Sequence, residues 1–338
     1  MTVKYGTSDD WADGDVLFAA DLLDSLEEAG YWLGVTGVLT MNSVCRHSAT
    51  TYSYAESGGD LFQSTDTLVT STSKNTTPTS AGLIRAADSD STVAFFIETD
   101  VTTGQTAYTA DSGATWTSKT SAVFATKIYD MHIFSTAMIV VAGHDTTNGI
   151  VYSTDQGGTW NNPSTPPSNV VYAVCMVSAT VGYAIDSVKN IWKTTDGCDT
   201  WVDTTDNASV NGVSTTIFAI DTDTLIFGGN DGELDHYVNS TNTLTQKIYF
   251  NGDRCLGVTK TTSGNYYGAW ADGTTNMNGI IIAKSSDGTN WNRITSIATL
   301  RSDNHSSDVT CKTSICEYGT DQLVVNTAGA QARILRLV

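Results

Sequence analysis

The 338-residue sequence predicts an all-β chain closed into a ring of repeated four-stranded units, and three observations carry that prediction. A turn pattern, Ser/Thr-x-Asp-x-Gly-x-Thr-Trp, returns about every 45 residues. The stretches between turns are rich in β-branched and aromatic residues, with almost no helical periodicity after residue 30. Gly is frequent at 29 residues, which suits a chain built from short strands and tight turns.

The turns run Thr109-Ala110-Asp111-Ser112-Gly113-Ala114-Thr115-Trp116, then Ser153-Thr154-Asp155-Gln156-Gly157-Gly158-Thr159-Trp160. Two further copies depart from the pattern. Asp196 is followed at once by Gly197, with Cys198 in the usual Gly place before Trp201, and Asp287 reaches Trp291 one residue early. A short Asp accepts hydrogen bonds from the backbone of its own turn, and Gly adopts φ > 0 at little cost. The Trp then buries about 150–250 Å² against neighbouring structure. The expected structural residues are therefore Asp111, Gly113, Trp116, Asp155, Gly157, Trp160, Asp196, Trp201, Asp287 and Trp291.

Weaker copies fall on the same schedule. Ser64-Thr65-Asp66 begins a turn that lacks its Gly and Trp, Asn239 follows a Gly-rich stretch, and Arg333 to Val338 reads as a last strand. Intervals of 45, 44, 41, 43, 48 and 51 residues separate Asp66, Asp111, Asp155, Asp196, Asn239, Asp287 and Val338. In the third unit, 128–134, 137–142, 149–153 and 159–161 read as four successive strands. Four strands per unit of this length is a β-propeller blade. Seven such blades account for residues 31–338, with a strand near 31–38 completing the last one, and residues 1–30 stand apart.

In that first segment Asp15 precedes an apolar stripe of Ala19, Leu22, Leu23, Leu26 and Ala29, and Gly30 ends it: a short helix that must dock to be stable. Acidic residues outnumber basic ones by 36 to 17, for a net charge of −19, which argues against a nucleic-acid face. Heavy use of Asp in turns explains the acidity without a functional cause. No apolar run is long enough to span a membrane, and the first thirty residues lack a signal-peptide pattern. The six Cys and five His show no zinc-ligand spacing, and the turns lack the full calcium-loop pattern, so no metal and no cofactor is expected. The Cys are expected as free core thiols, with a Cys311–Cys316 bridge as the alternative.

The turn pattern resembles the Asp-box, or bacterial neuraminidase repeat, which in its families lies between the third and fourth strands of a propeller blade. The phrase Trp11-x-Asp13-Gly14-Asp15-Val16-Leu17-x-Ala19-Ala20-Asp21-Leu22 resembles a segment of tail-fibre, appendage and other virion proteins of tailed phages and related archaeal viruses. This second resemblance implies a virion structural protein that is not an enzyme. Its Leu22, Leu23 and Leu26 would anchor it to other virion proteins or to a second copy, and its propeller would be displayed outside the cell toward host-surface glycans. Tyr266, Tyr267 and Trp270 are the aromatic candidates for glycan contact, with core packing as the competing explanation. Two alternatives stay open. One is an Asp-box glycoside hydrolase; for a sialidase the seven Arg include no Arg-Ile-Pro motif, while Arg46 and Arg254 fall on inner strands facing the channel. The other is a propeller that binds proteins or scaffolds their assembly.

Overall fold

The computed structural model describes residues 33–34, 43–55, 60–74, 84–98, 106–119, 128–135, 137–143, 149–204, 214–250, 253–272, 280–297, 315–319, 322–325 and 333–336. Their strands form antiparallel sheets taken in chain order. After β1 (Leu33–Gly34), the first sheet is β2 (Ser43–Arg46), β3 (Tyr52–Ala55), β4 (Leu61–Ser64) and β5 (Thr72–Ser73). The second is β6 (Ile84–Asp90), β7 (Val93–Glu98) and β8 (Thr106–Thr109), and the third β9 (Asp130–Ile133), β10 (Ile139–Ala142) and β11 (Ile150–Ser153). The fourth contains β12 (Val171–Met176), β13 (Gly182–Asp186), β14 (Ile191–Thr194) and β15 (Val202–Asp203). The fifth contains β16 (Ser214–Ala219), β17 (Thr224–Gly229), β18 (Glu233–Val238) and β19 (Thr243–Tyr249). The sixth contains β20 (Asp253–Lys260), β21 (Tyr266–Asp272), β22 (Ile280–Ser285) and β23 (Asn292–Ile297). The closing sheet orders β24 (Ile315–Gly319), β25 (Gln322–Val325) and β26 (Arg333–Arg336) before β1, with Leu33 opposite Ile334.

The first strands of the sheets touch in the cyclic order β2, β6, β9, β12, β16, β20, β24 and back to β2, which makes the molecule a β-propeller. Seven uniform four-stranded blades are not what forms: among the described residues complete four-stranded blades number five, and the second and third sheets have three strands each. In the third sheet the expected outer strand shrinks to a single bridge, Tyr152 to Asn161. Pro163, Pro166 and Pro167 follow it, and Pro cannot donate to a ladder. Thr165 instead bridges Thr200 of the fourth sheet. In the second sheet a lone Tyr108 to Thr117 bridge stands where an outer strand was expected. The expected helix, with Leu22, Leu23 and Leu26, lies outside the described residues. Among those residues no α-helix occurs, and the one helical turn is a 3-10 turn at Asn239–Thr241.

The core is divided among the seams between sheets. Phe95 and Ile97 meet Met131 and Val141 between the second and third sheets, and Tyr183 and Ile185 meet Ile217 and Phe227 between the fourth and fifth. Middle strands are covered on both faces, so β7 reads Val-Ala-Phe-Phe-Ile without alternation. Each inner strand presents one open edge to the ring axis, and its backbone N–H groups need partners there. The third sheet supplies two: Asp130 accepts from Val174 N at 2.8 Å and His132 Nδ1 accepts from Met176 N at 3.0 Å.

Candidate functional site

The turn residues and the channel lie toward the same end of the ring. In the second sheet Thr109 Oγ1 donates to Asp111 Oδ1 and accepts from Gly113 N. Thr115 then closes the turn, its N–H on Asp111 Oδ1 at 2.8 Å and its hydroxyl on Oδ2 at 2.6 Å. Asp155 with Thr159, and Asp196 with Thr200, repeat the clamp. Asp287 uses Thr289 N, Asn290 N and Asn290 Nδ2. The N–H and hydroxyl of Thr159 hold the Asp155 carboxyl down at about 2. These carboxylates are occupied within their own turns.

Gly113 and Gly157 sit at φ 82° and 74°, and a side chain at Gly113 would strike Ser53 Oγ of the first sheet. Cys198 takes the same position at φ 81° with its thiol buried against Met176. The Asp66 turn, expected to lack its anchor, uses Leu68 there at φ 61°, buried in the seam with the closing sheet. Each Trp reaches back into the preceding sheet. Trp116 packs edge-on against Phe96, in a cluster with Leu61 of the first sheet, and Trp160 packs on Phe95. Trp201 lies between the third and fourth sheets and Trp291 between the fifth and sixth. The indole N–H groups of Trp116, Trp201 and Trp291 donate to the carbonyls of Gly113, Cys198 and Gly288. The turn residues are thus inter-sheet fasteners.

The aromatic glycan candidates are corrected by burial. Trp270 and Tyr267 have no exposed surface and Tyr266 has 4%, because β21 is a middle strand covered on both sides. They are core residues. Cys45, Cys175, Cys255 and Cys316 are reduced thiols on inner strands, and burial pushes Cys255 and Cys316 up to about 12; Cys311 lies outside the described residues.

The channel opens where the inner strands end, a cavity of about 630 Å³. Val44, Ile217, Val258 and Ile315 give it apolar walls, and Arg46, His132, Lys260 and Glu317 give it charge and hydrogen bonding. Arg46 Nη1 meets Glu317 Oε2 at 2.7 Å, which ties the first sheet to the closing one. Glu317 Oε1 also accepts from Thr262 N at 2.9 Å and Thr262 Oγ1 at 2.7 Å. It is the one carboxylate among the described residues that line the cavity, and these bonds occupy it. Lys260 lies 4.8 Å from the Tyr266 ring centre. His47 also borders the cavity. Its Nδ1 donates to Ser91 O at 2.6 Å and its Nε2 accepts from Ser53 Oγ at 2.9 Å, while burial lowers its pKa. With Ser53 fully buried, this pair is a structural link rather than a nucleophile and base.

Of the two Arg expected on inner strands, the structure brings Arg46 into the channel, whereas Arg254 opens β20 at the opposite end of its strand. Sequence reasoning missed Glu317. The signal was position: both Arg46 and Glu317 follow an inner-strand Cys, at Cys45 and Cys316.

No protein-family model and no curated protein sequence matches this chain. Solved structures do. "YCF48 bound to D1 peptide" has a TM-score of 0.63 at 13% identity, covering 91% of this chain and 95% of that one. The WD40 β-propeller domain of Doa1 gives 0.63 at 13%, over 88% and 92%. The GH74 xyloglucanase from Xanthomonas campestris gives 0.66 at 10%, over 90% of this chain and 53% of that one. Likeness at these identities is one of fold. The Asp-box family assignment is therefore withdrawn, since no family model supports it and the clamped turns stand as local geometry alone. The virion, phage and tail-fibre assignment is withdrawn with it, since the matches are to propellers of other kinds.

Proposed function

We propose that this chain is a non-enzymatic binding propeller that holds an extended polypeptide segment of a partner protein at the mouth of its central channel. The observation that carries the reading is the channel end: an open cavity of about 630 Å³ in which apolar side chains such as Val44, Ile217 and Ile315 alternate with Arg46, His132, Thr259, Lys260 and Glu317. Such a mixed lining offers hydrogen-bonding groups for a backbone and apolar surface for side chains. The like-folded YCF48 has been solved bound to a peptide, which supports the reading.

Selection from a random-sequence peptide library on the full chain, followed by titration of the best peptide against Arg46→Ala and Lys260→Ala, tests the reading. The expected result is a single peptide class whose affinity falls about tenfold in one or both variants, the scale of one charge-assisted hydrogen bond. Failure to enrich any peptide, affinity unchanged in both folded variants, or release of sugar from oligosaccharides would overturn it, the last in favour of a glycoside hydrolase.

A further inference from the structure

The outer rim of the fifth and sixth sheets is unlike the rest of the molecule. Elsewhere the described outer strands are two residues long, as in β5 and β15, or reduced to single bridges. Here β19 has seven residues and β23 has six, no described strand pairs with their outer edges, and an open strand edge of that length is a template for another chain. Acids outnumber bases by 36 to 17 over the whole sequence, yet neither strand contains Asp or Glu. Each carries one cation, Lys247 or Arg293.

Lys119, Lys193, Lys260 and Lys284 each lie over a tyrosine ring. Among the described residues the ion pair formed is Arg46 with Glu317, which leaves Lys247 and Arg293 without a carboxylate. Arg293 sits 6.0 Å from the ring centre of Phe250, which directly follows β19, so the two strands share one surface. Tyr249 and Ile294 add apolar area to it, 53% and 42% exposed. The ladder slips at Lys247 in β19 and at Ile294 in β23, so the regular edge of β19 runs from Thr243 to Gln246.

We infer that this rim docks an extended acidic segment of another protein, which adds as a strand along Thr243–Gln246 and carries carboxylates to Lys247 and Arg293. Charge complementarity selects that occupant: two outer strands that carry Lys247 and Arg293 and no acid of their own attract a carboxylate-bearing strand and disfavour a basic one. The rim is separate from the channel and does not depend on the channel reading.

The test uses fluorescein-labelled (Val-Glu)4 and (Val-Lys)4 peptides with the full chain, read by fluorescence polarisation. The (Val-Glu)4 peptide is expected to bind and (Val-Lys)4 to bind at least about tenfold more weakly. Lys247→Glu/Arg293→Glu should weaken (Val-Glu)4 by about tenfold, the sum of two exposed charge pairs reversed. Salt should weaken binding in the wild type, and backbone N-methylation along one edge of the peptide should abolish it. Equal binding of the two peptides, binding unchanged in the charge-reversal variant with an unchanged melting curve, or loss on Arg46→Ala instead would overturn the proposal. A dimer in light scattering that dissolves in the charge-reversal variant would also overturn it, because the occupant would then be a second copy.

Discussion

The fourth and fifth sheets hold their outer turns with the same chemistry drawn from different places. In the fourth, Asp196 takes the N–H and hydroxyl of Thr200, four residues away, and Trp201 pins the turn to the third sheet. In the fifth there is no such Asp and no Trp. Asp223, from the loop before β17, takes Ser240 N at 2.7 Å and Ser240 Oγ at 2.6 Å. Each is a carboxylate clamp on one N–H and one hydroxyl, local in one sheet and spanning 17 residues in the other. The lesson is that the repeated unit is a bonding geometry, of which the sequence pattern records only the local version.

The largest loss is expected at the Trp anchor. Trp201→Ala should cost about 3–5 kcal/mol, because the ring is fully buried between two sheets; chemical denaturation measures it. Trp160→Ala, at a partly buried ring, should cost clearly less. Gly113→Ala comes next at about 2–3 kcal/mol, because it combines φ 82° with a clash at Ser53 Oγ. If Gly113→Ala were neutral, the Gly would not be what fits the second sheet against the first.

Removing either clamp separates the local carboxylate from the distant one. Asp155→Ala and Asp223→Ala should each cost about 1 kcal/mol, like the loss of a helix cap. Equal losses would mean that the local and the distant carboxylate are interchangeable. A much larger loss at Asp223 would mean that it also holds the loop before β17.

The pH dependence sets the fifth sheet apart again. Glu233 is fully buried, accepts from Asp231 N at 3.2 Å, and leaves Oε1 without a partner. Burial, reinforced by Asp231 and Asp235, raises its carboxyl from 4.5 to about 7; the buried Cys255 thiol also faces it. The folded state therefore keeps a proton that the unfolded chain releases, so this contribution is complete below pH 4.5 and is lost as pH rises through about 7. Glu233→Gln should flatten the decline in melting temperature between pH 5 and 8 by about 3 °C. Asp155 runs the other way: its contribution is lost only as pH falls toward about 2.

The ring of β-sheets was legible because strand alternation and the Asp and Trp spacing are local signals. The outer strand of the third sheet was over-read, since the three prolines after Asn161 outweigh the alternation before them. Leu68 and Cys198 weakened the pattern of their turns by standing at positive φ where Gly is usual, a substitution that burial and the clamp make tolerable. Trp270, Tyr266 and Tyr267 looked like a platform because a strand buried on both faces shows the same aromatics as an exposed one. The channel was legible only in part. Arg46 could be placed on an inner strand, but its partner Glu317 lies 271 residues away and no local pattern joins them.

Hydrogen–deuterium exchange on the full chain, with and without the peptide selected by library screening, tests the channel reading most directly. Slowed exchange is expected at Val44–Ser48, Val258–Lys260 and Ile315–Glu317, where the inner strands border the cavity. Protection confined to the outer strands, or no protection by a peptide that binds, would contradict it.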